Sequence, residues 1–251
     1  MPGKTWGKLY AIRQKNILNN LERQVVELFK NNSENSTRQK LSDKISITSA
    51  LKNDTTVKDE ATVLGRVFKY FDSDKSIVHN YHYLYGLLFR DKKALYKSIL
   101  EIGIYKGASL KSWKEYFKDA YIYGIDIDPN TLFTEDKIDT MVGDQNNTQS
   151  LIDVGKCING GFDVVIDDGW HQPEASVNTM MAFIPLLKDG GVYILEDINH
   201  KLYASFYTKL AEIINANNGY YAEYIDLDNC TPPIDSKEDS SVLVIKKHPL
   251  N

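Results

Sequence analysis

From Lys97 onward, short apolar runs alternate with segments of helical pattern, and that alternation restricts the fold more than any other feature of the chain. A strand, a crossover helix and a further strand build a parallel sheet with helices on its faces. The runs are Ser98–Ile102, Tyr121–Ile125, Asp139–Val142, Phe162–Ile166, Val192–Leu195, Tyr220–Ile225 and Ser241–Ile245. Ser109–Phe117 and Ala175–Leu187 carry the pattern of crossover helices. The last two runs are joined by a loop containing Pro and Asp, and their spacing suits an antiparallel pair at the sheet edge. The expected fold is α/β: a Rossmann-like, seven-stranded, mostly parallel sheet with an antiparallel C-terminal strand and an N-terminal helical extension.

Ahead of the sheet, Ala11 to Lys30 reads as a helix. Ile17 or Leu18, Leu21, Val25 and Leu28 recur every three or four residues and so share one face. Such a face either packs on its own subunit or forms a homodimer contact. Asn31 to Ser42 reads as a polar loop, and Ser46 to Lys69 as a further short helical stretch with a loop. The expected division is a helical extension over residues 1–70 and an α/β domain over residues 71–251.

The chain has 251 residues, of which 42% are hydrophobic, enough for a real core. A formal net charge of -4 gives no ground for general nucleic-acid binding, although a few basic residues would still accommodate a phosphorylated substrate. No apolar run reaches membrane-spanning length, and Met1 to Tyr10 lacks the apolar stretch of a signal peptide. Cys157 and Cys230 sit in no CxxC or Cys/His cluster, so a reducing cytoplasm is the expected setting. The Asn-X-Ser/Thr triplets at Asn31 and Asn35 are then not glycosylation sites.

The first strand runs into Glu101-Ile-Gly103-Ile-Tyr-Lys-Gly107-Ala-Ser109. Glycines here let the backbone turn tightly and approach a ligand, and the following helix presents free N–H groups. A plain tight turn would look the same. The second strand ends in Asp126, with Asp128 two residues on. A carboxylate there can accept from two ribose hydroxyls, or can serve as a turn or helix cap. The third ends in Gly143-Asp144-Gln145, where an acidic acceptor suits the amine of adenine or, again, a turn. Three successive strand ends thus carry acceptors where a nucleoside would lie. The spacing departs from the G-x-G-x-x-G of dinucleotide-binding dehydrogenases, which disfavours an NAD enzyme.

The fourth strand ends in Asp167-Asp168-Gly169-Trp170-His171, and the fifth in Glu196-Asp197. In a parallel sheet both ends emerge on one edge, so these groups converge. That many acids repel, and a divalent cation such as Mg²⁺ would relieve the conflict. Asp168, Glu196 and Asp197 are the candidate ligands. The ion would acidify a substrate hydroxyl, with His171 as the base and Asp168 beside it. The plainer alternatives are a surface or capping His171, a capping Asp167, and solvated acids at 196 and 197.

Taken in order, these motifs resemble the class I S-adenosylmethionine-dependent methyltransferases, and more narrowly the macrolide-sugar O-methyltransferases of the mycinamicin and tylosin type. The resemblance covers Asp72 to Ile198. It includes Ser73-Asp74-Lys75, His79-Asn-Tyr81 and Tyr85-Gly-Leu-Leu-Phe89, together with the strand-end motifs. It implies that S-adenosylmethionine is held by Glu101, Gly103, Gly107, Ser109, Asp126, Asp128, Asp144, Gln145 and Asp167. It implies a metal held partly by Asp168 and Asp197, a base at His171, and an acceptor pocket touched by His79 and Tyr81. Trp170 is placed with the acceptor-side residues, although it stands where the macrolide enzymes tend to have a smaller side chain. The implied partner is a small-molecule sugar or sugar nucleotide, for a surface polysaccharide or natural product. The macrolide enzymes carry a larger N-terminal region, which points away from a macrolide itself.

Overall fold

A computed structural model describes residues 3–33, 46–158, 160–231 and 239–249. Most of the expected 31–42 loop, the Asn35 triplet and most of the loop before the last strand lie outside the described residues.

Helices α1 (Gly3–Ser33), α2 (Ile47–Asn53), α3 (Val57–Tyr70) and α4 (Tyr81–Phe89) precede the sheet. Then follow β1 (Ser98–Ile102), α5 (Ala108–Tyr116), β2 (Tyr121–Asp126), β3 (Thr134–Glu135), β4 (Ile138–Val142), α6 (Thr148–Cys157) and β5 (Phe162–Asp167). The chain continues through α7 (Pro173–Phe183), β6 (Leu187–Ile198), α8 (His200–Asn215), β7 (Tyr220–Asp226) and β8 (Ser241–Lys247).

The sheet order is β3-β4-β2-β1-β5-β6-β8-β7. The five strands from β4 to β6 are parallel, and β8 runs antiparallel between β6 and β7. The seven expected strands are all present, and an eighth, β3, pairs antiparallel with β4. At two residues it is too short to carry any hydrophobic period. The strand over Val192–Leu195 extends to Leu187–Ile198, since its flanks are polar but still paired with β5 and β8.

Alternate strand residues feed two cores. Leu100 and Ile102 join the side covered by α1, α6, α7 and α8, whereas Ile99 joins the side covered by α2 to α5. Leu21, Val25, Leu28 and Phe29 are buried, and α1 rests on α7 and α8, so the apolar face of this helix packs on its own subunit. No described helix is long and apolar enough to cross a membrane.

Caps set several helix starts. Asn147 accepts from Gln149 and Ser150 N–H at the head of α6, Asn199 accepts from Leu202 N–H at the head of α8, and Pro173 opens α7. The carboxyl ends of β1, β2, β4, β5 and β6 therefore release their loops along one edge of the sheet, which is where the site forms.

Candidate active site

A cavity of about 330 Å³ opens at that edge. It is lined by the ends of the first strands and their loops, among them Gly103, Asp126, Asp144, Gln145, Gly169 and Trp170. Gly103 stands at φ +95, and a Cβ there would lie 2.1 Å from the Asp168 carbonyl oxygen. Only glycine lets β1 pass so close to the loop after β5.

Asp126 is adjacent to that loop. Its Oδ2 accepts from the Ile104 and Tyr105 N–H groups at 2.9 and 3.2 Å, and its Oδ1 from Asp128 N–H at 3.0 Å. Partial burial works against the carboxylate, but these backbone donors outweigh it and hold the pKa below the usual value. A carboxylate has about four lone-pair sites, so acceptor capacity remains toward the cavity. Asp144 spends one oxygen on Asn146 N–H at 2.8 Å and also lines the cavity.

Gln145 is buried and acts as a bracket. Its Nε2 donates to Asp167 at 2.7 Å and to Thr179 at 2.8 Å, while its Oε1 accepts from Trp170 N–H at 2.7 Å. The amide occupies the space that a Cβ on Gly169 would fill. Asp167 lies beneath the cavity, receiving Gln145 and the Tyr193 hydroxyl at 2.8 Å, and burial pushes its pKa up to about 6.

Several residues expected to touch the methyl donor are placed elsewhere. Asp167 is not among the lining residues because its side chain points into the core. Asp128 turns to cap the 129–131 turn, accepting from Asn130 N–H at 2.9 Å. Gly107, at φ 74, begins α5 and faces the Phe133 ring. Glu101 is fully buried, accepts from Trp113 Nε1 at 2.7 Å, and is raised to about 7 by burial. The Ser109 hydroxyl is directed to Glu101 rather than the cavity.

Beyond Trp170 lies a second group. Among the described residues, Asp168, His171 and Asp197 each bring a ligand atom within 4.8 Å of the others, a set able to hold a metal ion. His171 Nε2 lies 3.8 Å from Asp197 Oδ2, and the buried His171 Nδ1 has no hydrogen-bond partner. His171 and Asp197 both stand at φ 54, an uncommon conformation for residues with a Cβ. At Asp197 the cause is visible: the pairing of β6 with β8 shifts between Leu195 and Ile198. Such an irregularity re-aims side chains. Asp197 faces His171 there, whereas Glu196 keeps the alternation of the strand, on the face of Val192 and Ile194.

Glu196 lies outside that three-residue group. It is buried against Lys75 and accepts from the Tyr85 hydroxyl. Tyr81 donates to Asp197 Oδ1, and Asp197 N–H donates back to the Tyr81 oxygen at 3.1 Å. His79 stacks on Tyr81 with ring centroids 4.8 Å apart, and its Nε2 is 3.8 Å from Asp197 Oδ1. His79 and Tyr81 thus support Asp197, while Trp170, 55% exposed, stands at the cavity mouth.

Lys75 and Tyr85 were not expected in the site from the residue pattern. A lone lysine carries no signal of burial, and an aromatic stripe on a helix reads as core. The ordered block Ser73 to Phe89 was the signal available for both.

Residues 100–198 match the methyltransferase-domain family. The chain is 30% identical over 161 residues to 8-demethyl-8-alpha-L-rhamnosyl tetracenomycin-C 2'-O-methyltransferase of Streptomyces olivaceus, covering 61% of this chain and 42% of that protein. It is 37% identical over 121 residues to demethylmacrocin O-methyltransferase of Streptomyces fradiae, covering 45% of this chain and 30% of that one. It is 35% identical over 137 residues to mycinamicin VI 2''-O-methyltransferase of Micromonospora griseorubida, covering 52% and 34% respectively. The chain thus spans less than half the length of these curated relatives. Its fold is shared with the MycE methyltransferase of the mycinamycin pathway, solved with Mg and SAH, at a TM-score of 0.55 and 24% identity over 74% of this chain and 55% of that one. The matched residues lie on a Rossmann-like sheet.

Proposed function

We propose that this chain is an S-adenosylmethionine-dependent, metal-assisted O-methyltransferase that acts on a sugar hydroxyl of a small molecule. The observation that carries the reading is a junction. The loop Asp168-Gly169-Trp170-His171 walls the cavity with its middle residues and supplies the ion-and-base cluster with its outer ones. A nucleoside end and a proton-transfer end therefore share one four-residue segment. The sugar acceptor rests on relatives whose names carry a rhamnosyl or an olivosyl group. Acceptor screening across natural-product glycosides, surface-polysaccharide precursors and sugar nucleotides identifies what carries the sugar.

In this reading Asp126 and Asp144 offer acceptors to the ribose and adenine of the donor, and Gly103 allows the backbone to approach it. The orphaned Nδ1 of His171 and the neighbouring carboxylates fit a divalent cation, with Asp168 and Asp197 as its carboxylate ligands. When bound, such an ion lowers the pKa of a hydroxyl it touches, and S-adenosylmethionine supplies an electrophilic methyl group. His171 takes the acceptor proton at a ring nitrogen. Tyr81 and His79 hold Asp197 in place, and Gln145 holds the 168–171 loop at its distance from the donor.

Calorimetric titration tests the donor assignment: S-adenosylmethionine and S-adenosylhomocysteine are expected to bind, and NAD is not. Binding of NAD alone would overturn the reading. Excess EDTA is expected to lower turnover by about tenfold or more, with recovery on adding Mg²⁺. Undiminished turnover in EDTA would remove the ion from the mechanism.

A further inference from the structure

A cavity of about 390 Å³ opens between α3 and the 74–77 turn ahead of α4. It shares no lining residue with the donor cavity and none with the group of Asp168, His171 and Asp197. Its floor is made by close approach. Ser76 Oγ donates to the Gly65 carbonyl at 3.2 Å and so ties the turn to α3. A Cβ on Gly65 would lie 3.2 Å from His82 Cδ2, so the missing side chain lets the imidazole rest against the helix. Burial pushes the His82 pKa down to about 4, with a hydrogen bond to the Lys75 carbonyl working the other way, and the ring is neutral at pH 7.

The charge around this cavity therefore comes from Arg66 and Lys69, and no acidic residue lines it. The two stand three residues apart on α3, a spacing that makes their side chains neighbours. Neither has an ion-pair partner among the described residues. Close by the pattern is different: Arg90 faces Asp54 at 2.7 Å, and Lys93 takes Glu60 of α3 at 2.8 Å. Like charges at this spacing disfavour the helix that carries them, and an anion between them removes that cost. We propose that the cavity is a binding site for a phosphoryl group, held between Arg66 and Lys69. A guanidinium presents paired N–H donors to phosphate oxygens, and an ammonium adds a point charge. Ile77, 52% exposed, gives the same cavity an apolar wall, which suits the organic part of a phosphate ester.

The test is titration of inorganic phosphate, followed by phosphorus NMR, and of UDP, followed by calorimetry, into the full chain. EDTA is present so that no divalent ion recruits either anion, and melting temperature checks folding. Phosphate is expected to bind wild type. Arg66→Gln and Lys69→Gln are each expected to weaken it about fivefold, and the double variant about 20-fold. Lys58→Gln is the control, an exposed cation on the same helix outside the cavity lining, and is expected to stay within about twofold. Absence of phosphate binding overturns the proposal. So does a double variant that binds as wild type does, and so does equal weakening by Lys58→Gln, which would mean attraction by net charge alone.

UDP separates the two sources of a phosphoryl group. Binding tighter than phosphate and weakened alike by the double variant supports a phosphate ester as the occupant. UDP that binds no tighter, or that ignores the double variant while phosphate responds to it, supports the free ion. A second measurement needs no variant: the His82 ring protons of wild type are expected to shift on adding phosphate, because the imidazole forms part of the cavity floor. Unmoved His82 resonances at saturating phosphate overturn the proposal.

Discussion

His171→Ala is expected to lower turnover by about 100- to 10,000-fold while leaving S-adenosylmethionine affinity within a few-fold of wild type. The separation follows from position. His171 lies past Trp170, outside the residues that line the cavity, and faces Asp197. Its ring makes no hydrogen bond at Nδ1 and is held by its backbone, at φ 54, and by the loop that Gln145 grips. Removing the ring takes away the proton acceptor without disturbing Gly103, Asp126 or Asp144. Single-turnover methyl transfer and donor titration on the same preparation check both halves. Turnover within tenfold of wild type would falsify the assignment of His171 as base. A parallel loss of Mg²⁺ affinity would reassign it as an ion ligand, which its place in the three-residue cluster also allows.

Gly103→Ala is the second large effect expected, and it acts through the backbone. The new Cβ would meet the Asp168 carbonyl oxygen at 2.1 Å and its carbon at 2.8 Å, at a φ of +95. Neither is the end of a flexible side chain, so the loop after β1 or the loop after β5 has to move. We expect a loss of about 2–4 kcal/mol and a fall in melting temperature of roughly 5–15 °C. Donor affinity should fall with it, since Asp126 is held by the N–H groups of Ile104 and Tyr105 just beyond. Gly190→Ala is the control. Its φ is +78, yet nothing lies within 4 Å of the added Cβ, so it isolates strain from collision. Equal destabilisation by the two substitutions would mean that backbone conformation, not close approach, explains Gly103.

Both predictions concern strand ends that the sequence made visible. The period of the apolar runs indicated each parallel strand and its neighbouring crossover helices, and the glycine and acid at the ends of β1 and β2 do meet, through Ile104 and Tyr105. Asp144 and Gln145 were legible for the same reason, because a parallel sheet delivers consecutive loops to one edge. Less legible were the residues whose side chains could serve either a ligand or the fold. Asp128 caps a turn, Gly107 opens a helix, and Glu101, Ser109 and Asp167 belong to buried networks. In each the direction the residue faces differs from the expected one, and direction depends on neighbours distant in the chain.

By itself the sequence determined the doubly wound sheet, the edge at which ligands gather, and the convergence of acids and a histidine there. These follow from periodicity and strand order, which are local properties. The tertiary structure alone decided how adjacent acids divide their work. Asp197 turns to His171 beside a shift in the pairing of β6 with β8, and a lysine from a turn 121 residues earlier closes on Glu196. No local pattern encodes that lysine's place, because burying it is tolerable only once carboxylates from β1, β6 and the loop after β5 have been brought around it.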